Sequence, residues 1–94
     1  MDENAEKLVK RILELTHSRF VSANDISRLA ELAKPETIQQ KIYFLTQVKE
    51  VIRLLPEKMF PDYLDANRNR ENLIDAAKQA IDQAIAEEEE LESE

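Results

Sequence analysis

The apolar positions of this chain recur with the period of an α-helix along almost its whole length. In the first segment, roughly residues 3–19, Ala5, Leu8, Val9, Ile12, Leu13 and Leu15 form one apolar stripe, and Lys7, Lys10, Arg11 and Glu14 lie opposite. A second, shorter segment begins at Ser22 and reaches about Ala33. Ser22 stands three residues before Asp25, a capping-box arrangement with Asp in the place usually held by Glu or Gln. This helix is expected to bury Ile26, Leu29 and Ala30, with Leu32 and Ala33 at the margin of the same face.

The third segment runs from about Pro35 to Leu55. On a helical wheel, Ile38, Ile42, Phe44, Leu45, Val48, Val51, Ile52 and Leu55 cover about half the circumference. A stripe that wide serves two neighbouring helices, which predicts that this is the central helix. Lys41 falls inside the arc and must snorkel or meet an acid. Tyr43 and Leu54 fall outside it, near Gln47 and Glu50.

A kinked connection through Pro56 and Pro61 leads to the last helix, expected from about Asp62 to as far as Glu90. Asn67, Ile74, Ile81 and Glu88 recur every seven residues there, as do Arg70, Ala77, Ala84 and Leu91. The alanines allow close helix–helix approach, although two short heptads do not define a coiled coil. This helix would be about 43 Å long against about 31 Å for the third, so its last turns should overhang the bundle.

The punctuation between these segments is unusual, because the chain has no glycine. Glycine is the usual residue for tight turns and helix C-caps. Each of the three prolines is instead followed by an acid: Pro35-Glu36, Pro56-Glu57 and Pro61-Asp62. Proline tolerates the first helical turn and an acid there meets the positive end of the helix dipole, so the three pairs predict three helix starts. The expected fold is a small all-α bundle of three or four helices with a long C-terminal helix and an acidic tail.

At 94 residues with 43% hydrophobic content, one small core is expected. The net charge of −7 is concentrated at the end: residues 87–94, EEEELESE, hold six acids and no base, leaving 14 acids against 13 bases before them. This divides the chain into a bundle domain, 1–86, and an acidic tail, 87–94, that is expected to stay solvated and disordered. No cysteine is present, no apolar run approaches membrane-spanning length, and Met1-Asp2-Glu3-Asn4 is not a signal peptide. These features favour a soluble intracellular, cytoplasmic protein without membrane contact.

Catalytic chemistry finds little footing. Phosphate-binding loops, dinucleotide fingerprints and nucleophile elbows all require glycine. The single histidine, His17, follows Glu14 by three residues, the spacing of carboxylate–histidine metal proteins, but such sites need a second copy of the motif and further carboxylates. A non-enzyme with no cofactor, metal or small-molecule substrate is the expectation, and a metal protein built on Glu14 and His17 is the remote alternative.

Residues 22–42 resemble a helix-turn-helix loosely, with Gln39, Gln40 and Lys41 as the base-facing residues. Lys34-Pro35 stands where such a turn usually has glycine, and the segment lacks the cluster of Lys and Arg that duplex binding needs. A nucleic-acid-binding regulator is therefore the alternative reading, not the leading one. The leading one is a protein–protein interaction module: a subunit, adaptor or small chaperone of a larger assembly. Its candidate partner-binding residues are Tyr43 and Leu54 on a polar helix face, Met59, Phe60 and Tyr63 beside two prolines, and Ile81 and Ile85 on the last helix. The expected partner is another protein or a second copy joined through that helix.

Overall fold

The computed structural model describes residues 3–17 and 20–93. It contains α1 (Glu3–Leu15), α2 (Ala23–Arg28), α3 (Ile38–Leu54) and α4 (Ala66–Glu92), with 3-10 turns at Leu29–Leu32, Glu57–Met59 and Tyr63–Asp65. Among the described residues there is no strand, and the small all-α bundle with a long last helix read from the periodicity is the architecture observed.

Local chemistry sets most of the boundaries. α1 opens with Glu3 and Glu6 in its first turn, where carboxylates face the positive helix end. It stops at Leu15, short of the expected Arg19, which lies outside the described residues. The Thr16 hydroxyl donates to the Leu13 carbonyl at 2.6 Å, a side-chain bond that competes with helix continuation. α2 has the capping box read from the sequence: Ser22 Oγ accepts from the Asp25 N–H at 3.2 Å, and the Asp25 carboxylate accepts from the Ser22 N–H at 2.9 Å. The Ser22 N–H, and after it the Ser22 hydroxyl that donates to the same carboxylate oxygen at 3.1 Å, hold the Asp25 carboxyl below its usual range. Within the following 3-10 turn Leu29 and Ala30 are buried, whereas Leu32 is half-buried and Ala33 exposed.

The proline–acid pairs do not begin α-helices as expected. α3 begins at Ile38 with extended Thr37 as its cap, whose Oγ1 accepts from the Gln40 N–H at 3.1 Å. Gln40 Oε1 in turn accepts from the Glu36 N–H at 2.7 Å. Pro56 precedes the 3-10 turn at Glu57–Met59, and Asp62 caps the one at Tyr63–Asp65 by accepting from the Leu64 N–H at 3.2 Å. Proline fixes its own φ and pushes the preceding residue toward extended backbone, which suits a short turn as well as a helix start. At the end of the α2 layer, the glycine that usually caps a helix is replaced by Lys34, held at φ 48° with its N–H on the Ala30 carbonyl at 3.2 Å.

α3 packs most extensively against α4, and α2 also lies on α4. Ile12, Ile26, Leu45, Val48, Ile52 and Leu73 are fully buried, and Ala76, Ala77, Ala80 and Ala84 form the close-approach stripe of α4. The first turns of α4 lie beside the end of α3, because Arg70 bonds to carbonyls there, so the two helices run antiparallel. Ala84 is the last buried residue of α4, and the helix continues to Glu92 beyond the core. The first residues of the acidic segment are thus helical. α1 approaches the backbone of the bundle chiefly at the 3-10 turn Leu29–Leu32. Only Ile12 of α1 is fully buried, while Leu8, Val9, Leu13 and Leu15 are half-buried against the core.

Candidate interaction surface

Because α1 sits loosely on the bundle, it leaves an open groove between itself and the second half of α3. Ala5, Leu8 and Val9 of α1 form one wall. Val51, Leu54 and Leu55 form the other, and Pro56 and Met59 close the end, around about 390 Å³ of space. Every lining residue is apolar. Ala5 and Leu8 also border a smaller hollow of about 250 Å³ with Asn4, Leu32, Ala33 and Phe44, so a mostly apolar track continues along α3. Leu54 is 67% exposed and Met59 is 40% exposed. Apolar surface left open in a groove of this kind is a candidate interaction site.

The α3 wall is fixed from across the bundle by Arg70. Its guanidinium donates to the carbonyls of Ile52 at 2.6 Å, Arg53 at 2.9 Å and Leu55 at 2.6 Å. These carbonyls lie at the end of α3, where the helix itself supplies few donors; that of Ile52 also accepts from the Leu55 N–H at 3.4 Å. The cation also meets the negative helix terminus and lies 5.2 Å from the Phe60 ring centroid. Leu54 thus projects into the groove from a helix end that is clamped on both sides of it. At the rim, Arg53 pairs with Glu50 at 2.9 Å, and that hydrogen bond holds the Glu50 carboxyl below its usual range.

The structure distributes the candidate residues unevenly. Leu54 and Met59 line the groove. Tyr43, 69% exposed, lies three turns before Leu54 on the same ridge of α3. Phe60 is 3% exposed, inside the core under Arg70, and has no face to offer a partner. Its burial follows from the turn at Glu57–Met59, which directs the chain back onto the bundle. Tyr63 is exposed in the 3-10 turn before α4. Ile81 is half-buried against the core, and Ile85 is exposed one turn further on.

The residues singled out for alternative chemistry are placed as follows. Glu14 and His17 are exposed at the end of α1, and no group of three or more His, Cys, Asp or Glu among the described residues is placed to hold a metal. In the helix-turn-helix stretch, Gln40 spends its side-chain carbonyl on the chain entry to α3. Among the described residues, no helix is long and apolar enough to cross a membrane. The α1 residues of the groove and Arg70 were not singled out by sequence. Arg70 does share a heptad register with buried Ala77 and Ala84, and an arginine in a core register was the available signal.

A helical bundle with an apolar inter-helix groove has the form of a small protein-binding module. Residues 6–90, nearly the whole chain, match the TyeA family, and the chain belongs to it. That family is one of non-catalytic regulatory proteins of type III secretion that act through protein–protein contacts.

Proposed function

We propose that this chain is a regulatory adaptor of type III secretion that holds a helix of a YopN-type partner in the groove between α1 and α3. The family's YopN-binding role supports the partner class. The observation that carries the site is the wholly apolar lining of a groove left open to solvent, in which Leu54 is the most exposed large side chain. A groove running along two helices suits an amphipathic partner helix, anchored by side chains at helical spacing. Covering the exposed two-thirds of Leu54 contributes about 1–2 kcal/mol, and Met59 and the half-buried α1 leucine and valine add to it. Tyr43, on the same ridge, extends the contact.

Titration calorimetry with a purified YopN-type partner tests this. Leu54→Glu is expected to weaken binding at least about tenfold while the thermal melt stays unchanged, since Leu54 is exposed in the free protein. Leu91→Glu, on the overhanging end of α4, is expected to bind normally. The reverse pattern places the partner on the last helix and overturns the proposal.

A further inference from the structure

A second concavity lies on the other side of the 3-10 turn Leu29–Leu32, between α2 and the start of α3, and it has different chemistry. It encloses about 600 Å³; Ala30 and Pro35 lie in its floor, and Arg28, Lys34 and Lys41 stand around it. Glu31 is the one acid in the lining. Arg28 also faces Asp25 and Glu31 across a neighbouring hollow, so its charge is partly answered. Lys34 and Lys41 have no ion-pair partner among the described residues. Lys41 is half-buried, and of the two courses its place in the apolar arc allowed, snorkelling or meeting an acid, it forms no ion pair among the described residues. Ser27 and Asn24 add a hydroxyl and an amide to the lining, neither hydrogen-bonded within the described chain.

Lys34 carries the further signal of its backbone. At φ 48° it occupies the left-handed region, which is strained for a residue that carries a side chain and which glycine enters freely. Strain kept at a cleft, on the residue that supplies its charge, points to a use for that charge.

We propose that this cleft is a second docking site, independent of the apolar groove, for an acidic segment of a partner protein in which carboxylates flank a small apolar side chain. The apolar floor takes the side chain and Lys34 and Lys41 take the carboxylates. A duplex fits less well: phosphate-backbone binding calls on about six to ten cationic contacts, and the cleft offers three with an acid among them.

The probe is a fluorescein-labelled peptide of sequence EEEALEEE, read by fluorescence anisotropy against the full chain. Saturable binding is expected in 50 mM salt, weakening at least about tenfold by 300 mM as screening sets in. Lys34→Glu/Lys41→Glu is expected to abolish it with the helical circular dichroism intact. Lys34→Gly, which keeps the backbone and removes the charge, is expected to weaken binding several-fold. Lys58→Glu/Lys78→Glu makes the same change in net charge away from the cleft and is expected to bind as the parent does, as is Leu54→Glu. Equal weakening by the two double variants would reduce the effect to net charge and overturn the proposal. So would tighter binding of a 20-base-pair duplex than of the peptide. Salt-dependent self-association in sedimentation velocity, abolished by Lys34→Glu/Lys41→Glu, would assign the cleft to a second copy's acidic end and overturn it also.

Discussion

Replacing Arg70 by methionine removes the clamp on the end of α3 while keeping the length and apolar stem of the side chain. Three carbonyls lose a charged donor at 2.6–2.9 Å, two of them only partly reached by solvent. A hydrogen bond to a charged group contributes about 1.5–3 kcal/mol net, and the cation over Phe60 and the helix terminus each add about 0.5 kcal/mol or more. The three bonds share one guanidinium and are not additive, and water can reach the Arg53 carbonyl, so the expected loss is about 3 kcal/mol. A chain of this length has roughly 5–14 kcal/mol in total. Thermal melting followed by circular dichroism should therefore fall by about 12–24 °C, and the urea midpoint by about 1–3 M. Arg70→Lys retains the charge without the planar fork and should recover less than half of the loss. An Arg70→Met protein within about 0.5 kcal/mol of the parent would refute the clamp, because that is the range of an ordinary surface substitution.

Two further outcomes follow from the fold. Leu45→Ala, in the fully buried face of α3, should cost about 2–5 kcal/mol in urea unfolding, and a loss below about 1 kcal/mol would contradict the central position of that helix. The capping box should make stability pH-dependent on the acid side. Asp25 has a folded pKa below its ordinary 3.8, so its contribution is fully present above that value and is lost as pH falls through the folded one. Ser22→Ala should cost about 1 kcal/mol at pH 7 and reduce, without removing, the slope of stability below pH about 4, because alanine keeps the N–H that is the larger cause; urea titrations at stepped pH would read this.

The elements were legible because their causes are local. Helical spacing fixes the faces of α3 and α4, and the Ser22–Asp25 box needs only residues three apart. Thr37 was available on the same terms: Thr-x-x-Gln at 37–40 is a start signal, and Pro35-Glu36 drew the boundary too early. What could not be read depends on how the helices meet. The Arg70 partners are 15 to 18 residues away on another helix end. Phe60 is buried only because the turn at Glu57–Met59 folds it under that arginine, and no periodicity in a connection reports such a placement. The groove exists because α1 lies at a distance from α3, and a helix stripe does not state how completely a neighbour covers it. Tyr43 and Leu54 were readable as exposed, being off the apolar arc. That Leu54 borders a groove with Leu8 and Val9 was not.

The central claim is that the groove between α1 and α3 is where a partner helix lies. Hydrogen exchange measured on the protein free and bound to a YopN-type partner addresses it most directly. New amide protection is expected along α1, residues 3–15, and along residues 44–59, with the exposed end of α4 unchanged, since a docked helix slows the opening of the elements it covers. Protection confined to residues 81–92 with none on α1 would contradict it.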